Sequence, residues 1–75
     1  MAETETARIE IGFDGGQIMS ALVTAASADA LERAFNARAE GTVPLDADDG
    51  RYTVFLGSVV YVKRFARESR VGFGI

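Results

Sequence analysis

The tripeptide Asp14-Gly15-Gly16 constrains this chain more than any other feature, because it interrupts two stretches that alternate apolar and polar side chains. Residues 8–13 read Arg-Ile-Glu-Ile-Gly-Phe, which places Ile9, Ile11 and Phe13 on one face and Arg8, Glu10 and Gly12 on the other. Alternation of that period is the signature of a strand. Asp-Gly and Gly-Gly pairs supply the positive φ values of tight hairpin turns, so residues 17–24 are expected to fold back on the first strand. A two-residue loop makes opposing positions sum to an odd number and puts Ile18, Ser20 and Leu22 beside Ile9, Ile11 and Phe13. A slip of one residue would put Met19, Ala21 and Val23 there instead. The first register is expected, since Ile18 and Leu22 are the larger residues.

Ser27 reads as an N-cap, with Asp29 near the positive end of the helix dipole. A helix follows over 28–40, its stripe formed by Leu31 and Phe35 with Ala28, Ala34 and Ala39, while Asp29 can pair with Arg33. Gly41 fits the left-handed stop. Residues 42–45 form a short extended piece whose Pro44 marks an edge or a strand end, and 46–50 a turn. Residues 51–56 set Tyr52, Val54 and Leu56 against Arg51, Thr53 and Phe55. After a bend at Gly57-Ser58, residues 59–65 set Val59, Tyr61, Lys63 and Phe65 against Val60, Val62 and Arg64. Apolar residues on both faces of these runs suggest the middle of a sheet, or a sheet with a second subunit on one face. Residues 66–70 read as a polar loop, 71–75 as a terminal strand and 1–6 as a flexible leader. The expected fold is α+β, a single small domain over 1–75. It has a mainly antiparallel sheet of five or six strands in the order β-β-α-β-β-β-β, with one helix packed on one face.

A chain of 75 residues buries a thin core, which makes self-association favourable and a cofactor cradle improbable. It contains neither cysteine nor histidine. That removes disulfides, thiolate chemistry, Cys-ligated zinc and imidazole catalysis, so the expectation is no enzyme activity and no cofactor. No apolar run approaches the length of a membrane span, and the acidic start is unlike a signal peptide, which together suggest a cytoplasmic protein. The net charge of −3 is unevenly spread. Residues 1–50 hold three arginines against ten acids, whereas 51–75 hold Arg51, Lys63, Arg64, Arg67 and Arg70 against Glu68. Such polarity suits association between copies or a partner for the basic end.

Asp46, Asp48, Asp49 and Gly50 resemble a calcium loop superficially. Gly50 is fifth from Asp46 and the twelfth position is Gly57, so the EF-hand pattern fails and a hairpin tip explains these residues. Gly12, Gly15 and Gly16 match no phosphate-binding pattern. The cluster with binding potential is Tyr61, Lys63, Arg64, Arg67, Arg70 and Phe73, where cations interleave with aromatics as in surfaces that hold phosphates and stack bases. Against a nucleic-acid role, the chain is acidic overall, and alternation sends Lys63 and Arg64 to opposite faces. The competing explanation makes Tyr61, Phe65 and Phe73 core residues, with the cations guarding a sheet edge.

Ile11-Gly12, the helix around Leu31, Asp48-Asp49-Gly50-Arg51, the apolar run Val54 to Leu56, Val60-Tyr61-Val62 and the closing Arg70-Val71-Gly72-Phe73-Gly74 together carry a family likeness. In them the chain resembles a small actinobacterial family of unknown function, marked by a C-terminal Arg-Val-Gly-Phe-Gly. The resemblance implies a bacterial protein with a compact α+β unit and contributes no catalytic residues. The expected role is a non-catalytic protein–protein interaction module that self-associates. The alternative is a small nucleic-acid-binding accessory using the basic C-terminal strand.

Overall fold

A computed structural model of the chain describes residues 5–66. The elements are β1 (Thr6–Phe13), β2 (Ile18–Thr24), α1 (Ala25–Asn36), β3 (Thr42–Ala47), β4 (Gly50–Phe55), a single 3₁₀ turn (Leu56–Ser58) and β5 (Val59–Arg64). All pairings are antiparallel, in one five-stranded sheet of order β4-β3-β2-β1-β5. The fold is α+β, with α1 on one face. The terminal strand expected over 71–75 lies outside the described residues, as do residues 1–4 of the leader. Glu5 and Thr6 are part of the structure: β1 starts at Thr6, and the Glu5 carbonyl accepts a 2.8 Å bond from the Ala25 amide.

The first hairpin forms in the other register. Its loop has three residues rather than two, since the Gly16 amide bonds the Phe13 carbonyl at 3.0 Å and the Phe13 amide bonds the Gln17 carbonyl at 2.9 Å. Gly15 and Gly16 both have positive φ, 99° and 91°, which lets the chain turn through the extra residue without a Cβ penalty. Ile11 therefore faces Met19 and Ile9 faces Ala21. Met19, Ala21 and Val23 join the core face, and Ile18, Ser20 and Leu22 turn to the open face. The loop length decides this: with three residues in the turn, opposing positions sum to an even number, which puts Met19, Ala21 and Val23 on the face of Ile9 and Ile11. The small Ala21 and the helix's Ala28 are both buried in one cluster with Ile9, Ile11, Val23, Leu31, Val43, Leu45, Val54 and Leu56.

The helix is displaced toward the N-terminus of the chain. Thr24, not Ser27, is its N-cap, accepting from the Ser27 amide at 3.1 Å. It ends at Asn36 rather than Glu40. Gly41 is left-handed but lies in the link to β3, and the left-handed stop is Arg38, at φ 58°. Bonds from Arg38 N to the Phe35 carbonyl and from Ala39 N to the Ala34 carbonyl, each 3.0 Å, close a Schellman motif around it. Leu31 is fully buried, while Phe35 is only half-buried and Ala39 exposed, because the stripe runs out with the helix.

Ser27 instead joins elements. Between β2 and β3 the sheet is almost open, with Val23 opposite Ala47 as the single paired position and one further bond from Asp48 N to the Leu22 carbonyl at 3.0 Å. At that seam the Ser27 hydroxyl, 92% buried with its residue, accepts from the Asp46 amide at 3.0 Å and from the Thr24 hydroxyl at 2.9 Å. Pro44 is tolerated beside this opening, since it needs no partner from β2. β3 continues to Ala47 and pairs along its whole length with β4, so the turn is only Asp48-Asp49, with Gly50 at φ 140° receiving the chain.

β4 and β5 are not central strands: among the described residues they are the two edges. The two alternating sets of β4 separate as read, and the structure turns Arg51, Thr53 and Phe55 outward and buries Val54 and Leu56. In β5 a bulge intervenes. Phe13 pairs with Val59 and Gly12 with Tyr61, leaving Val60 unpaired and 58% exposed. Val59 and Val62 thus both pack on the core, which strict alternation forbids.

Two substitutions test this account. Ser27→Ala leaves the Asp46 amide without its partner and is expected to cost about 1–3 kcal/mol in urea unfolding. Arg38→Gly removes left-handed strain at the C′ position, offset in part by the greater unfolded freedom of glycine. It should add about 0.5–1 kcal/mol and raise the Tm by a few degrees in a thermal melt.

Candidate functional site

With α1 on one face, the other face of the sheet is uncovered among the described residues. Register assigns its rows: Gly12 between Ile18 and Tyr61, Glu10 between Ser20 and Lys63, and Arg8 beside Leu22. Across β3 and β4, Asp46 faces Arg51, Pro44 faces Thr53 and Thr42 faces Phe55. This face carries the exposed large apolar side chains Ile18, at 62%, and Phe55, at 57%. A polar outer face is the ordinary arrangement for a one-sided antiparallel sheet, and these two side chains depart from it.

Tyr61 is a surface residue, 38% exposed, and not the core residue that the competing reading made it. Its ring lies flat over Gly12, where any Cβ would collide with it, and its hydroxyl donates to a Glu10 carboxylate oxygen. The glycine is thus a seat for the ring. The hydrogen bond to Glu10 is the main reason the Tyr61 phenol is pushed above its ordinary pKa, with desolvation and the Glu10 charge adding to it. Tyr52 is pushed up in the same way by its 2.9 Å bond to Asp49 and that residue's charge.

The structure divides the basic cluster. Tyr61 and Lys63 share the open face, where the Lys63 ammonium sits 4.4 Å from the centre of the Phe65 ring. Arg64 is on the helix side, donating to Asp29 at 2.8 Å and to Glu32 at 3.1 Å. Asp29 was expected to pair with Arg33 along the helix; tertiary contact gives it Arg64 instead. Arg64 therefore straps edge strand β5 to α1 and does not converge with Lys63. Arg67, Arg70 and Phe73 lie outside the described residues. The acidic tip is likewise engaged locally, Asp46 holding Arg51 at 3.0 Å and Asp49 holding Tyr52.

The two edges differ in protection. β5 carries Lys63, Arg64 and the bulge at Val60, all devices that discourage another strand from pairing. β4 has no bulge, and its Tyr52-Thr53-Val54-Phe55 run is uncharged and rich in strand-forming residues. Sequence reasoning separated Phe55 from Val54 and Leu56 without saying which set faces outward, and missed Ile18 because of the register and Val60 because of the bulge. A broad open groove of about 890 Å³ near Arg8, Leu22 and Phe65 is bounded by both ends of the described chain, Glu5 and Ala66. No helix among the described residues is long and apolar enough to cross a membrane. No family model, curated protein or solved structure matches the chain.

Both tyrosines should titrate above the ordinary value of about 10 in the folded protein and at that value in urea, read by phenolate absorbance. A raised folded pKa means that folding favours the protonated phenol. The associated stability is complete below about pH 10 and declines as pH rises through the folded values. Gly12→Ala should displace the Tyr61 ring, break its bond to Glu10 and return one of the two titrations to the ordinary range, leaving that of Tyr52 raised.

Proposed function

We propose that this chain is a non-catalytic, cytoplasmic protein-interaction module that self-associates through its sheet. The observation that carries this reading is the exposure of Ile18 and Phe55 on the face opposite the helix. A single short helix covers only one face, and apolar groups left in water favour a protein partner. The thin core of a small chain and the acidic and basic halves of its sequence point the same way. A nucleic-acid role has less support, because Arg64 is committed to Asp29 and Glu32 on the far face, which leaves Lys63 without a second cation of the cluster beside it among the described residues.

Sedimentation of nuclease-treated protein over a concentration series is expected to show a mass that grows with concentration, and Phe55→Ser should reduce the growth while leaving the melting temperature close to that of the parent. A monomer at every concentration would overturn the reading. Steeply salt-dependent binding of single-stranded nucleic acid, lost in Lys63→Ala, would replace it with the nucleic-acid role.

A further inference from the structure

Resting on the self-association reading, we propose that two copies join edge to edge about a twofold axis. β4 of one copy runs antiparallel to β4 of the other, with Thr53 opposite Thr53 of the second copy. The pairing makes one continuous sheet with both helices on the same side.

The choice of edge follows from what guards each. β5 offers an incoming strand the Lys63 ammonium and a bulge, its Arg64 being held by Asp29 and Glu32, whereas the only charge within β4, Arg51, is held by Asp46 at 3.0 Å. β4 is paired on one side alone among the described residues. An isologous contact also needs a strand that is complementary to itself.

The register follows from the faces and the charges. Keeping both helices on one side of the joined sheet requires opposing positions to sum to an even number, since a one-residue slip would turn the buried set of one copy to the other's open face. Three centres are then available on β4. Centring on Val54 overlaps the strands least. Centring on Tyr52 sets Phe55 opposite the carboxylate of Asp49, repulsive to the electron-rich ring face. Centring on Thr53 sets Phe55 opposite the Arg51 guanidinium, Tyr52 opposite Val54 and Thr53 opposite itself, each a favourable cross-strand pair. Both members of the Arg51–Phe55 pair are held ready. Asp46 restrains the guanidinium, and the Phe55 ring lies over Gly57, where an added Cβ would come within 2.9 Å of it. The open face would then read Asp46, Arg51, Phe55, Thr42 across the axis, an alternation of acid, cation and aromatic that the twofold repeats in reverse.

The chain contains no cysteine, so an introduced one reports proximity without background. Directly opposed residues of an antiparallel pair have Cα atoms about 4.5–5.5 Å apart, inside the range a disulfide spans, whereas positions displaced by two residues fall outside it. Under mild oxidation, full-length Thr53→Cys is expected to give a disulfide-linked dimer, and Lys63→Cys, on the opposite edge, to stay monomeric on a non-reducing gel. A mixture of Arg51→Cys and Phe55→Cys chains should cross-link with each other faster than either does alone. Thr53→Lys, which puts two ammonium groups at the axis, should sediment as a monomer while keeping its fold by circular dichroism. If the parent sediments as a dimer but Thr53→Cys fails to cross-link, or Lys63→Cys cross-links instead, the β4 interface is wrong and the self-association reading stands. If the parent is monomeric throughout, both fall.

Discussion

The joint at Ser27 holds the two halves of this sheet together. β1, β2 and β5 form one continuously paired unit and β3 with β4 another, and the seam between them has a single paired position, Val23 with Ala47. Two strands alone are marginal in water, so β3 and β4 depend on being fastened to the rest. The first turn of α1 does this, because Ser27 faces inward and its hydroxyl accepts from the Asp46 backbone where β2 has no partner to offer. A buried hydroxyl that bridges a helix to a strand satisfies a backbone amide that would otherwise be stranded, and so fixes where the second hairpin sits. The helix completes the closure by laying Leu31 and Ala28 over residues from both halves.

That closure uses the one helix on one side. Everything on the opposite face must be satisfied by other means, and the strands do so unevenly. Near β1 and β5 part of the surface is covered locally, with Tyr61 over Gly12, Glu10 accepting its hydroxyl and Lys63 against Phe65, while Ile18 and Val60 stay exposed. Near β4 it is left open, with Phe55 over Gly57 and more than half exposed. The protection of the edges follows the same division, since the cations and the bulge are on β5 and the uncharged strand-forming run is on β4. A sheet with one guarded edge and one less guarded edge is polarised toward a particular contact, which supports the interaction role proposed for this chain.

The order and type of elements through residue 66 were legible because they rest on local chemistry. Strand alternation around Ile9, Ile11 and Phe13, the Leu31 and Phe35 spacing, and the separation of Arg51, Thr53 and Phe55 from Tyr52, Val54 and Leu56 each need only the period of the backbone. The errors are of one kind. The Gly15-Gly16 pair permits loops of two or three residues, and the sequence does not say which, so Ile18 and Leu22 were assigned to the wrong face. Thr24 and Ser27 are both competent caps three residues apart, and the Ser27 hydroxyl is taken up as the acceptor of the Asp46 amide, which leaves the cap to Thr24. Arg38 accepts a left-handed conformation that residue statistics give to Gly41, because β3 must begin at Thr42 and the intervening chain has to reach it.

The candidate site shows the same boundary. Sequence alone determined that chemistry based on cysteine or histidine is impossible here, that the cations gather toward the C-terminal part, and that Lys63 and Arg64 point apart, since these follow from composition and a two-residue period. The tertiary structure decided which strands became edges, that Arg64 is tied to Asp29 and Glu32, and that Tyr61 lies on a glycine rather than in the core. Those outcomes depend on contacts between residues 32 to 51 positions apart, whose energies are comparable among many pairings and are selected only when the whole sheet closes.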